Sequence, residues 1–153
     1  MHLYLLARAF SLIELVIVIV IIGIIGAIAV PRYSAFATNA KVSSYTQEIS
    51  TLIEGVYEYG QTNGGYPAHE AGFAFPTELA DLFFEPQSDF KTPFGGIWRY
   101  KNAAGSVSVG SKKSTGAPDT TEMTRIDALL DDGNLSTGRF QAQGAAWYWM
   151  LVE

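Results

Sequence analysis

Apolar side chains crowd one end of this chain. Leu12 to Val30 reads LIELVIVIVIIGIIGAIAV, nineteen residues in which Glu14 is the only charge, whereas from Arg32 onward polar and apolar positions interleave in ordinary proportion. A helix from Phe10 to Val30 would measure about 32 Å at ~1.5 Å per residue, close to the ~30 Å hydrocarbon core of a bilayer. Val16 to Ile22 is β-branched throughout and forms a poor helix in water. Lipid, however, offers no partner to free backbone groups and so enforces the helix. Beyond Pro31, Val42, Tyr45, Ile49, Leu52, Ile53 and Val56 recur at i, i+3, i+4 spacing, with Lys41, Gln47, Glu48, Ser50 and Glu54 largely on other faces. The pattern predicts one helix from Phe10 to about Tyr59, apolar all round in its first half and amphipathic in its second. Gln61-Thr62-Asn63-Gly64-Gly65 ends it.

The second half of that helix needs a sheet to cover its stripe. Thr77 is placed to cap a short helix that Glu85-Pro86 stops. Thr92-Pro93-Phe94-Gly95-Gly96 reads as a turn feeding a strand through Ile97 to Tyr100, with Ser106 to Val109 as its partner. A polar loop, Lys112 to Asp119, leads to a capped amphipathic helix over Thr121 to Leu130, with Met123, Ile126, Leu129 and Leu130 on one side. Asp131-Asp132-Gly133-Asn134 ends that helix, and Arg139 to Gln143 and Ala146 to Val152 follow as the last two strands. The expected class is α+β: a long helix against an antiparallel sheet of about four strands.

Three details separate the apolar segment from a plain anchor. Glu14 places a carboxylate where insertion costs on the order of 2.5 to 3.5 kcal/mol at the bilayer centre and less near an end. Either it is an acid tolerated at the interface or a positive partner reaches it later, during assembly. Gly23 and Ala27 form a small-xxx-small pair, with Gly26 beside them, that lets another helix approach closely. Pro31 cannot donate to the carbonyl of Ala27, so the stretch Gly23 to Pro31 is expected to yield. A secretory signal is disfavoured, because its apolar region is usually about 7 to 15 residues and ends at a cleavage site, whereas this run continues into a helical pattern. A simple signal-anchor stays open.

Ala9-Phe10-Ser11-Leu12-Ile13-Glu14-Leu15-Val16, followed by an apolar run ending in Ala29-Val30-Pro31, resembles the N-terminal signature of type IV pilins and pseudopilins, whose class III signal sequence is cut by prepilin peptidase. The resemblance implies cleavage between Ala9 and Phe10, and N-methylation of the new terminus on Phe10. It further implies that Glu14 neutralises the terminal amine of a neighbouring subunit, and that Gly23, Gly26, Ala27 and Pro31 serve helix packing and local melting. The leader, MHLYLLARA, carries alanine where the family usually has glycine before the cut, and Arg8 as its one firm positive charge. The implied organisation is a cleaved leader over 1–9, a transmembrane and filament-core helix over 10–31, and a soluble head over 32–153 that includes the second half of the long helix. The implied function is that of a structural subunit held in the bacterial inner membrane by one span, head in the periplasm, and polymerised through its helix into a cell-surface pilus. A periplasmic pseudopilus of type II secretion is the alternative, and a signal-anchored monomeric binding domain a more distant one. Implied partners are further copies of the chain, related minor pilins, prepilin peptidase, the inner-membrane assembly platform, and lipid before assembly.

Composition narrows the chemistry. The 153 residues are 48% hydrophobic, enough for a real core, so a disordered chain is excluded. Ten Lys and Arg against fifteen Asp and Glu give a net charge of −5 with no basic stripe, so nucleic acid is not indicated as a partner. Without cysteine there is no thiolate chemistry and no disulfide, which argues mildly against the disulfide-closed loop of many major pilins. His69, beside Glu70, reads as a solvated loop residue, and with no second histidine near it a transition-metal site is not expected. No phosphate-binding loop and no nucleophile elbow is present, so the chain is not expected to be an enzyme. Asp127, Asp131, Asp132 and Asn134 gather oxygen ligands within eight residues and make the one candidate calcium site. Their spacing lacks EF-hand order, and acids before Gly-Asn are ordinary turn chemistry, so no cofactor is expected. Trp147-Tyr148-Trp149 alternate faces in a strand and read as core packing and subunit contacts.

Overall fold

The computed structural model describes residues 10–80, 83, 90–103, 105–112 and 119–152. The leader through Ala9, the helix stop at Glu85-Pro86 and residues 113–118 of the polar loop lie outside them. The fold is α+β. Its elements are α1 (Leu12–Asn63), α2 (Thr77–Ala80), β1 (Ile97–Ala103), β2 (Ser106–Lys112), α3 (Thr120–Leu130), β3 (Phe140–Gln143) and β4 (Ala146–Val152). The chain divides into two compact units, Met1–Asn39 and Ala40–Glu153, and α1 contributes to both.

α1 remains α-helical through Gly23, Gly26 and Pro31. The proline removes one i to i−4 bond, and the Ser34 hydroxyl donates to the Pro31 carbonyl at 2.9 Å. At the other end the helix runs four residues past Tyr59 and closes on Gly64, whose φ of +69° is accessible to glycine without strain. The Gly65 N–H reaches back to the Gly60 carbonyl at 3.1 Å, a Schellman closure.

In the second unit the predicted stripe is the buried one: Val42, Tyr45, Ile49, Leu52 and Val56 all join the core. Each such side chain contributes roughly 1.5 to 3 kcal/mol by leaving water. The sheet is antiparallel throughout, in the order β1-β2-β4-β3, so α3 is part of a connection that carries the chain past β4's position. The register places Tyr100 opposite Val109, Val109 opposite Trp149, and Trp149 opposite Phe140, which sets one row of core side chains across all four strands. Tyr45 ties α1 to this face: its ring lies 4.7 Å from Trp98, and its hydroxyl shares a buried 2.7 Å hydrogen bond with Ser111. Burial pushes the Tyr45 phenol well above its ordinary range.

Aromatic residues fill the rest. Phe75 stacks edge-on to Phe90 at 5.2 Å and lies 5.8 Å from Tyr100, with Phe83 6.0 Å away. The predicted turn forms as expected: the Gly95 N–H donates to the Thr92 carbonyl, the Gly96 N–H donates to Thr92 Oγ1, and Gly95 has φ +78°. Gly110 matters for a different reason, since a Cβ there would collide with the Trp147 carbonyl and lie 2.7 Å from the Tyr148 Cα. Two expectations need correction. Leu129 is 65% exposed, and Asp127 takes its place on the buried side of α3 beside Met123 and Ile126. Asp119 caps α3 in a full capping box with Glu122. Thr77 lies inside α2, whose Leu79 N–H donates to the Pro76 carbonyl.

Candidate functional site

The first candidate is the N-terminal end of α1. Ser11 sits at the N-cap, its carbonyl accepting from the Leu15 N–H at 3.3 Å, and Glu14 Oε2 accepts from the Ser11 N–H at 2.9 Å. That is the glutamate half of a capping box, so the one carboxylate in the apolar span already has a partner within its own chain. The spacing Ser11-x-x-Glu14 was the sequence signal for it. Phe10 is 82% exposed, and every Leu, Ile and Val from Leu12 to Val30 remains exposed. Gly23 and Gly26 have no atom within 4 Å of where a Cβ would stand, so both face open space together with this apolar surface. α1 is long and apolar enough to cross a membrane. Ala9 lies outside the described residues.

The second candidate is the end of α3. Asp127, Asp131 and Asp132 each bring a carboxylate oxygen within 4.8 Å of the others. Asp131 Oδ2 accepts from the backbone N–H groups of Arg139 and Phe140, the latter at 3.3 Å. Asp132 accepts from the Asn134 N–H at 2.8 Å and from the Thr137 hydroxyl at 2.7 Å, and these bonds hold its acid below the usual carboxylate range. Asp127 is 0% exposed; its oxygens make no close hydrogen bond, and the Asn134 N–H and the Asp132 carboxyl are the polar groups that bear on it. Burial first, then the Asp132 and Asp131 charges, raise Asp127 from 3.8 to about 6. Asn134 lies on the same loop, its N–H donating to Asp132 and its side-chain oxygen accepting from the Ser136 N–H at 3.2 Å. Thr137 and Gly138 belong to this loop and were not anticipated.

His69 is not a solvated loop residue. Its Nδ1 lies 2.7 Å from the Asn102 carbonyl, and its ring packs 4.9 Å from Phe73, so it fastens the 66–73 segment to the edge of β1. The Asn102 amide donates to the carbonyls of Tyr66 and Pro67, and Arg99 Nη1 donates to the Gly72 carbonyl. At the opposite edge, the Ala142 N–H of β3 donates to the Leu135 carbonyl at 2.9 Å. Both outer strands are thereby shielded by their own loops. An open groove of about 550 Å³ near Thr120, Ser136, Gln141 and Trp147 carries no titratable side chain among the described residues. Trp147 and Tyr148 are both buried on opposite faces of β4, as their alternation required. Compared with known proteins, the chain matches no protein-family model, no curated protein and no solved structure.

Proposed function

We propose that this chain is a structural subunit of a type IV pilus or related filament, cut before Phe10 and polymerised through the apolar half of α1. The observation that carries the reading is the span from Leu12 to Val30, whose leucine, isoleucine and valine side chains are all exposed within their own unit. A surface of that size and polarity is stable only in lipid or against other apolar helices. Glu14 favours an assembly role over a plain anchor, because it charges a segment that anchoring alone would keep neutral. In this reading lipid holds the helix first, and the helices of other copies replace lipid as the subunit leaves the membrane. Gly23 and Ala27 supply the close approach that helix packing needs without a hydrophobic driving force. The head supplies the outer surface.

Electron microscopy with antibody labelling of sheared cell-surface material tests the proposal. Labelled filaments are the expected result. Recovery of the chain only as a detergent-extracted monomer, with no filament in sheared or periplasmic fractions, would set it aside in favour of a membrane-anchored domain.

A further inference from the structure

We propose that Arg32, Tyr33 and Phe36 anchor the head-side end of the apolar span in the phosphate-bearing headgroup layer of a membrane. The proposal rests on the filament reading for its membrane stage and adds what holds the helix at one depth there. It starts from two uncovered rings: Tyr33 is 75% and Phe36 72% exposed, and both follow directly on the apolar run that ends at Val30. A helix surrounded by water gains nothing from two such rings one turn apart. At the boundary between acyl chains and headgroups aromatic rings are favoured, because the body of a Tyr ring is apolar while its hydroxyl stays wet. Phe36, one turn farther out, tilts its side chain back toward the N-terminus of α1 and hence toward the acyl chains.

Charge selects the same layer. Arg32 is the first Lys or Arg after the span, and no Asp or Glu occurs from Leu15 to Gln47, so this stretch of helix supplies no carboxylate to pair with it. A guanidinium there finds its counterion in lipid phosphates, which it can hold through two parallel N–H groups while its stem stays among the acyl chains. At about 100° per residue Arg32, Phe36 and Tyr33 share one side of α1, roughly 150° from the Gly23 and Ala27 pair. The side on which another helix can approach closely, open at Gly23 and Gly26, is left clear. The far end of the span fits as well. Counted back from Pro31, a hydrocarbon core of ~30 Å takes about twenty residues and ends near Leu12. Glu14 then lies within one turn of the opposite boundary, where a carboxylate costs least, and its bond to the Ser11 N–H is kept.

The chain has no cysteine, so a single nitroxide can be placed at Ala29→Cys or at Ala35→Cys in the full chain, reconstituted into vesicles of phosphatidylcholine and phosphatidylglycerol. Depth is read from the balance of collisions with dissolved oxygen and with a water-soluble nickel complex. The label at Ala35 is expected in the headgroup layer and that at Ala29 in the acyl chains, about 9 Å deeper. Tyr33→Ala with Phe36→Ala should shift both labels by at least half a turn, ~3 Å, and Arg32→Gln should shift them by less. Tyr33→Trp with Phe36→Trp should leave them in place, because Trp suits the same layer. Melting of the head should be the same in every variant, since neither ring is buried. A parent label at Ala35 found in the acyl core or in bulk water overturns the proposal, as do depths that ignore the paired alanines or Arg32→Gln. Filaments from a chain whose labels sit at the wrong depth would remove the anchor and leave the filament reading, whereas correct depths without filaments would do the reverse.

Discussion

Replacing Glu14 with glutamine separates the cap it makes from the pairing with a neighbouring subunit's amine that the proposed function assigns to it. In the single chain Glu14 Oε2 accepts the Ser11 N–H at 2.9 Å, and an amide oxygen can accept the same bond, since capping boxes use Gln as readily as Glu. Glu14→Gln therefore keeps a cap contributing about 1 kcal/mol, and removes a charge whose insertion costs up to roughly 3 kcal/mol. Membrane insertion should be at least as efficient as in the parent, and cleavage before Phe10 unaffected. Assembly should fail, because a neutral amide cannot offset the amine of a neighbouring subunit. Leaving one charge unpaired in a low-dielectric setting costs about 3 to 5 kcal/mol, or two to four orders of magnitude in subunit addition. Glu14→Ala loses cap and charge together and should assemble no better. Sheared filaments would be quantified by immunoblot beside the membrane fraction from the same cells. Wild-type filament yield from Glu14→Gln would show that only the cap matters and would refute the electrostatic reasoning.

Other predictions concern the head. Tyr45→Phe and Ser111→Ala each break the same buried hydrogen bond and should each cost about 1 to 2 kcal/mol in chemical unfolding of the detergent-solubilised chain. The double variant should recover about 1 kcal/mol of the summed loss, and strict additivity would mean that the bond does not couple helix to sheet. Gly110→Ala should cost about 3 kcal/mol, because its Cβ meets backbone rather than a movable side chain; a variant as stable as the parent would contradict the β2–β4 register. In cation-free buffer, the raised acid of Asp127 contributes stability that is full below about 3.8 and lost as the pH rises through about 6. Melting should accordingly fall between pH 4 and 7, and Asp127→Asn should flatten that slope. Asp132, shifted the other way, acts only on the acid side of this window.

Much of the fold could be read from periodicity. The stripe from Val42 to Val56, the turn at Thr92 to Gly96 and the alternation in β4 are local patterns, and each was where spacing put it. The misreadings share one cause. On α3, Leu129 fitted the apolar stripe better than Asp127 by residue type, yet the sheet and the 131–139 loop decided which side was covered, and burial fell on the carboxylate. His69 looked unpartnered because its partner, the Asn102 carbonyl, is thirty-three residues away. Strand order is partly a long-range outcome: the two-residue Gly144-Ala145 turn makes β3 and β4 a local hairpin, whereas nothing local says that β2 will pair with β4. The acids at the end of α3 were visible as a group, whereas the burial of Asp127 depends on packing that no spacing encodes. The Ser11–Glu14 cap was missed despite a local signal, hidden by the more conspicuous charge it carries.

The central claim, that an apolar span exposed from Leu12 to Val30 serves assembly after processing, is tested most directly by mass spectrometry of the chain's mature amino terminus in its native cells. The account expects an N-methylated phenylalanine at Phe10 followed by Ser11, with nothing before it. A mature chain that still begins at Met1 would contradict it and would make α1 an anchor.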